Sequence, residues 1–170
     1  MKILLVRPPV AKHTMGLKHI MICEPLELEY TAANIGEEHE IKIFDMLVEK
    51  GLKNLLKTFK PDVVGSSCYI TGVNEVCKVM RQVKSLLPEC ITVAGGVHAA
   101  QVPEDFADYS IDVIVRGDGT TVFPEIVDAI KNNTSFYEIP GLAIPIAKRE
   151  VESTGGRPYM PKADSLPFPR

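Results

Sequence analysis

Five short apolar runs separated by amphipathic stretches set the limits on how this chain can fold. Ile3–Val6, Glu40–Met46, Asp62–Ser67, Cys90–Ala94 and Ile111–Val115 read as strands. Most are apolar at successive positions, so both of their faces need cover. Between them the apolar residues return with helical spacing. Leu26, Tyr30 and Ala33 mark a helix from Pro25 to about Gly36, and Leu52, Leu55, Leu56 and Phe59 mark a second that Pro61 stops. Val73, Val76, Cys77, Met80, Val83 and Leu87 mark a third, ended by Pro88, and Phe123, Ile126, Val127 and Ile130 mark the last. A short helix at Pro103 is expected to turn Val102, Phe106 and Tyr109 inward. Strand and helix alternating five times predicts a five-stranded parallel sheet with helices on both faces, its second strand near an edge because charged Glu40, Lys42 and Asp45 interrupt it.

The 170 residues allow one main domain, taken as residues 1–135. Residues 136–153 read as an edge hairpin turning about Lys148, with Pro145 confining its first arm to an edge, and the Gly- and Pro-rich residues 154–170 as a linker. Hydrophobic residues make up 45% of the chain and the net charge is −3, which argues for a folded core and against an electrostatic grip on nucleic acid. The run Ile3–Val6 stops at Arg7-Pro8-Pro9, far short of the roughly 20 residues of a membrane span, so no span is predicted and the expected location is the cytoplasm. Cys23, Cys68, Cys77 and Cys90 have no Cys-x-x-Cys spacing and read as reduced core thiols. The four histidines form no metal-ligand or hydrolytic pattern.

The chemistry-bearing residues gather where strands end. Gly65-Ser66-Ser67, Gly95-Gly96 and Gly117-Asp118-Gly119 finish the third, fourth and fifth strands, and ligands of open α/β sheets settle at the carboxyl ends of strands. Glycine there lets a ligand approach the backbone, and Ser and Thr supply donors. No Gly-x-Gly-x-x-Gly follows the first strand and no Gly-Lys-Ser/Thr occurs, so dinucleotide and triphosphate binding lack their usual signatures. The long loop Val10–Cys23, with His13 and His19, exceeds an ordinary strand-to-helix connection.

In this order, Pro8-Pro9, Glu24-Pro25-Leu26-Glu27-Leu28, Pro61-Asp62-Val63-Val64-Gly65, Gly95-Gly96-Val97-His98-Ala99, Arg116-Gly117-Asp118-Gly119 and Pro140-Gly141-Leu142-Ala143 span nearly the whole chain. The series resembles the amino-terminal cobalamin (B12)-binding domain of B12-dependent radical SAM enzymes, and is similar to the subgroup named for anaerobic magnesium-protoporphyrin IX monomethyl ester cyclase. Asp164–Arg170 is similar to the connector leading into the radical SAM barrel. The resemblance implies a flavodoxin-like (Rossmann-like) three-layer sandwich of the B12-binding-domain type. It also implies a cobalamin-binding domain of a larger enzyme, serving methyl transfer or oxidative and cyclisation chemistry. The Cys-x-x-x-Cys-x-x-Cys of radical SAM enzymes is absent, so the [4Fe-4S] cluster, S-adenosylmethionine and catalysis are expected only in a downstream radical SAM domain, the chain's expected partner.

By the same resemblance, Ser66, Ser67, Tyr69 and Thr71 would hydrogen-bond the cofactor's nucleotide tail, Gly95 and Gly96 would give it room, and Gly117, Gly119 and Thr120 would line its far side. The Asp-x-His-x-x-Gly that supplies a cobalt histidine elsewhere is missing, and the resemblance implies cobalamin held with its base detached and no histidine on cobalt. His98 has two readings, an imidazole bonded to loop backbone or a group near the cofactor; His13 and His19 read as solvated loop residues or as distant axial candidates. Ser66 and Ser67 can instead cap the turn, and Tyr69 can be ordinary packing. Two other functions fit the residues: a flavodoxin-like module for another phosphorylated cofactor, and a cofactor-free docking domain.

Overall fold

The computed structural model describes residues 1–11, 22–67, 69–157 and 166–169. His13, His19, Cys68 and most of the long loop lie outside the described residues, as does Asp164 of the connector. The strands are β1 (Lys2–Arg7), β2 (Glu40–Asp45), β3 (Val63–Ser67), β4 (Ile91–Gly95), β5 (Val113–Val115), β6 (Leu142–Ala147) and β7 (Glu150–Ser153). The helices are α1 (Leu26–Ala33), α2 (Leu52–Phe59), α3 (Val73–Leu86), α4 (Val97–Gln101) and α5 (Gly119–Asn132).

The described residues build one sheet of seven strands, in the order β2-β1-β3-β4-β5-β6-β7. This corrects the expected five. The parallel part is β2-β1-β3-β4-β5, the flavodoxin order, with β2 at the edge as its charges suggested. The two further strands come from the hairpin, β6 antiparallel to β5 and β7 antiparallel to β6. Pro145 therefore lies in an inner strand. It is tolerated because β5 pairs only with Leu142 and Ala143, so the ladder has ended before the proline's missing N–H would be needed.

Alternation along the strands sends side chains into two cores. Leu4, Val6, Val64, Ala94 and Ile114 pack with α2 and α3; Ile3, Leu5, Val63, Val93, Val113 and Val115 pack with α1 and α5. α2, α3 and α5 bury the predicted stripes: Leu56, Val76, Met80, Val83 and Ile126 are completely covered. α1 buries a different stripe from the one read in its sequence. Leu28, Thr31, Ala32 and Ile35 face inward and Leu26 is exposed. The reason is that this short helix carries apolar residues at two overlapping i, i+4 sets, and only the sheet selects between them.

The segment at Pro103 is a 3₁₀ turn, Pro103–Phe106, rather than a longer helix. Phe106 is buried as expected, but Val102 is partly exposed and Tyr109 stands 86% exposed, because the turn ends before Tyr109 can be carried round to the core. Cys77 and Cys90 are buried thiols, and burial pushes Cys90 up to about 12. Cys23 is exposed, which corrects the expectation of a core thiol there. Among the described residues, no helix is long and apolar enough to cross a membrane.

Candidate functional site at the carboxyl edge of the sheet

Because β1, β3, β4 and β5 run parallel, their carboxyl ends meet on one rim. Ser66 and Ser67 pair in register with Ala94 and Gly95, so the β3 and β4 tips are direct neighbours, and Gly117 follows β5. The strand order reverses between β1 and β3, the place where such sheets open a crevice.

Ser66 sits at that switch and is buried; its Oγ donates to the Val6 carbonyl at 2.8 Å. Its proton is thus committed to joining β3 to β1, leaving only acceptor capacity. Ser67, one residue on and half-buried, faces the opposite side of the sheet and has no side-chain partner among the described residues. Tyr69 and Thr71 are exposed around the 3₁₀ turn Ile70–Gly72 that leads into α3.

The glycines divide into filled and open positions. A Cβ on Gly65 would lie 2.6 Å from Phe123 Cε2 and 3.0 Å from Leu5, so glycine is what lets α5 press its aromatic ring onto β3. Among the described residues, a Cβ on Gly95 would meet only Val115 at 3.6 Å and the Ser66 carbonyl oxygen at 4.0 Å, ordinary contacts that leave space above. Gly96 has φ +100°, a conformation that glycine alone takes at little cost. Beyond β5, Asp118 caps α5: its carboxylate accepts from the Thr120 amide at 3.3 Å and from the Thr120 hydroxyl. Thr120 is thereby turned towards its own helix cap. A Cβ on Gly119 would lie 4.0 Å from Thr31 Oγ1, so α1 flanks the same rim.

His98 is engaged away from the strand tips. Its Nε2 lies 2.8 Å from the Asp105 carboxylate and its ring centroid 5.9 Å from that of Phe106. The partner of this imidazole is thus a carboxylate seven residues on, not the loop backbone expected from the sequence. Among the described residues no three His, Cys, Asp or Glu side chains converge as a metal cluster.

Sequence reasoning passed over Arg7 and Asp45. Arg7 ends β1 and forks onto Asp45 at the end of β2, with Nε 2.8 Å from Oδ1 and Nη2 on Oδ2, while Nη1 donates to the Cys23 carbonyl at 2.6 Å. The fork ties two strand ends to the entrance of α1, and the open groove beside it encloses about 460 Å³. Burial alone would raise Asp45, but the Arg7 guanidinium and the Leu47 amide hold its carboxyl below the usual value of 3.8. A carboxyl depressed in the folded state contributes stability that is complete above the unfolded pKa and is lost as pH falls through the folded one. Asp45→Asn is therefore expected to destabilise by on the order of 3 kcal/mol at neutral pH. The gap to wild type should be flat from pH 6 to 8 and close only below about pH 4, as measured by urea midpoints. A gap unchanged down to pH 2 contradicts the assignment.

A family model described as the B12 binding domain matches residues 13–127. An uncharacterized methyltransferase of Pyrococcus horikoshii is 32% identical over 177 residues, covering 99% of this chain and 38% of its own length. The hopanoid C-3 methylase of Methylococcus capsulatus is 34% identical over 149 residues, covering 84% of this chain and 28% of the methylase. The anaerobic magnesium-protoporphyrin IX monomethyl ester cyclase of Rubrivivax gelatinosus, whose subgroup the sequence resembles, is 26% identical over 125 residues. Among solved structures, the cobalamin-dependent S-adenosylmethionine radical enzyme OxsB, with aqua-cobalamin and S-adenosylmethionine bound, superposes with a TM-score of 0.76 at 19% identity. That superposition covers 99% of this chain and 24% of OxsB. The chain thus spans about a third of the length of the curated relatives it matches. With the family model covering more than half of the residues on a sheet of flavodoxin order, the chain belongs to the B12-binding domain family.

Proposed function

We propose that this chain is the cobalamin-holding module of a longer radical SAM enzyme, and that the cofactor's nucleotide tail enters at the β3–β4–β5 rim. The observation that carries this reading is the open position at Gly95 beside the Ser67 hydroxyl, which has no partner among the described residues, on a sheet of B12-binding type. The residues present fit the group: room above Gly95, a donor at Ser67, an acceptor at Ser66, and little against Gly119, where a Cβ would meet Thr31 Oγ1 at 4.0 Å. Tyr69 and Thr71 would close over the tail from their exposed turn, and Thr120 would line its far side while capping α5. His98 is held by Asp105 and is assigned no place on cobalt; by the family resemblance, the cofactor would be held with its base detached and no histidine ligand.

Bound cobalamin would supply methyl transfer or redox chemistry to a partner active site. That site, with its [4Fe-4S] cluster and S-adenosylmethionine, is proposed for a radical SAM domain following this one, in agreement with relatives about three times as long. Residues 1–135 would be the cofactor unit, 136–153 its hairpin and 154–170 the connector. The location proposed is the cytoplasm, and no nucleic-acid partner is proposed for a chain of net charge −3.

The test is retention of hydroxocobalamin absorbance by the purified chain through gel filtration, beside an unrelated protein of equal size. Retention above the control is expected; retention equal to it defeats the reading. One observation favours a second reading, a cofactor-free docking domain: Phe123 and Leu5 already fill the space over Gly65, one step below the rim.

A further inference from the structure

The residues after β7 do not leave the domain directly. Thr154 Oγ1 donates to the Ile139 carbonyl at 2.6 Å and accepts from the Leu142 amide at 3.0 Å, and the Gly141 amide donates to the Gly155 carbonyl at 3.1 Å. This returns the chain along the start of β6 and delivers Arg157 to α5. Its guanidinium forks onto Glu125, with Nη1 2.8 Å from Oε2 and Nη2 2.6 Å from Oε1. A lysine cannot reproduce such a fork.

The stem of Arg157 crosses two glycines. A Cβ on Gly141, whose φ is +89°, would lie 3.1 Å from Arg157 Cβ, and a Cβ on Gly117 would lie 3.5 Å from Arg157 Cδ. Those glycines are themselves joined, since the Gly141 carbonyl accepts from the amides of Arg116 at 2.8 Å and Gly117 at 3.2 Å. The Glu125 carboxylate, through its bonds to Arg157, is held below its ordinary range, and Arg157 is raised by Glu125 and, less strongly, by Asp118. One side chain thus touches the turn after β5, the turn before β6, and the helix that Asp118 caps.

We propose that Arg157 is a positioning residue for the turn Gly117–Thr120: it clamps that turn against α5 and ties the chain beyond it to the cofactor rim. The part of this that concerns ligand rests on the cobalamin reading above. A shift of Gly117–Thr120 would then be felt directly where the chain departs towards any following domain, because the Arg157 stem lies on Gly117 while its fork holds α5.

The experiment compares the wild-type 170-residue chain with Arg157→Met, Arg157→Lys and Glu125→Gln. Hydrogen exchange is read at the Gly117 and Gly141 amides of the apo protein, and hydroxocobalamin affinity by equilibrium dialysis. Arg157→Met and Glu125→Gln are expected to speed exchange at those two amides about tenfold, leave β1 and β3 amides unchanged, and weaken hydroxocobalamin about three- to tenfold, with Arg157→Lys between them and wild type. Unchanged exchange at Gly117 and Gly141 overturns the proposal. So does equal loosening of β1 and β3, which marks a general loss of stability, and so does faster exchange with undiminished affinity. A wild-type chain that retains no corrinoid defeats the cobalamin reading instead; the exchange result on the apo protein still decides the clamp.

Discussion

Gly95→Leu is expected to leave the domain folded and to reduce hydroxocobalamin affinity at least about tenfold, a loss of roughly 1.4 kcal/mol. The first added carbon meets Val115 at 3.6 Å and the Ser66 carbonyl oxygen at 4.0 Å, contacts that any core side chain makes. The backbone of Gly95 lies in β4, paired with Ser67, and has no positive φ to forbid a larger residue. Its stability should therefore stay within about 1 kcal/mol of wild type in urea, the usual scale for a change at an unfilled position. The remaining leucine atoms project on the face shared with Val115, into the space assigned to the nucleotide tail. Equilibrium dialysis followed by corrinoid absorbance measures the loss. A folded variant with wild-type affinity would place the tail elsewhere and remove the main support for the proposed function. The contrast is Gly65→Leu, which collides with Phe123 at the first carbon and cannot separate folding from binding.

Phe123→Ala should cost about 3–5 kcal/mol, a large part of the roughly 5–15 kcal/mol that holds a domain of this kind together. Phe123 is 4% exposed and its ring is the surface against which Gly65 rests, so its removal leaves a cavity between α5 and β3 that the sheet cannot close. The variant also separates the two functional readings. If the tail needs only the space above Gly95, affinity at a temperature where the variant remains folded will not rise. If the ring fills what was once a cofactor groove, its removal opens that groove and corrinoid retention will increase over wild type. Urea unfolding gives the first quantity and dialysis the second. Expected are the full stability loss and no gain in retention.

Much of this arrangement was legible in the residues. Runs such as Ile3–Val6 and Asp62–Ser67 are short, apolar at successive positions and bounded by proline or glycine, as buried strands are, and the stripes of α2, α3 and α5 match the faces that are buried. Their alternation, together with the spaced glycines, was enough to place the candidate site on one rim. The choice between the two possible faces of α1 was not legible, because Leu26–Tyr30 and Leu28–Ala32 are equally good i, i+4 pairs until a sheet is present. Nor was the number of strands. β6 pairs with β5, and β7 with β6, through backbone groups, and backbone pairing leaves little mark on side-chain pattern when only Leu142 and Ala143 engage β5.

The partners of individual site residues belong to the same class. The sequence could show that Ser66 and Ser67 end a buried strand, but not that one donates to the Val6 carbonyl while the other has no partner among the described residues, since adjacent strand residues face opposite sides of a sheet. It could show Asp105 seven residues beyond His98, Asp45 far from Arg7, and Glu125 far from Arg157, without any spacing that marks them as pairs. Hydrophobic spacing and glycine placement are local properties of the chain, so the parallel architecture and the rim at which small residues collect could be read from the residues alone. Which of those small residues stand open, as Gly95 does, and which are filled, as Gly65 is, was settled by long-range packing. That distinction depends on side chains such as Phe123 and Val115, brought in from distant segments by the packing of α5 and β5.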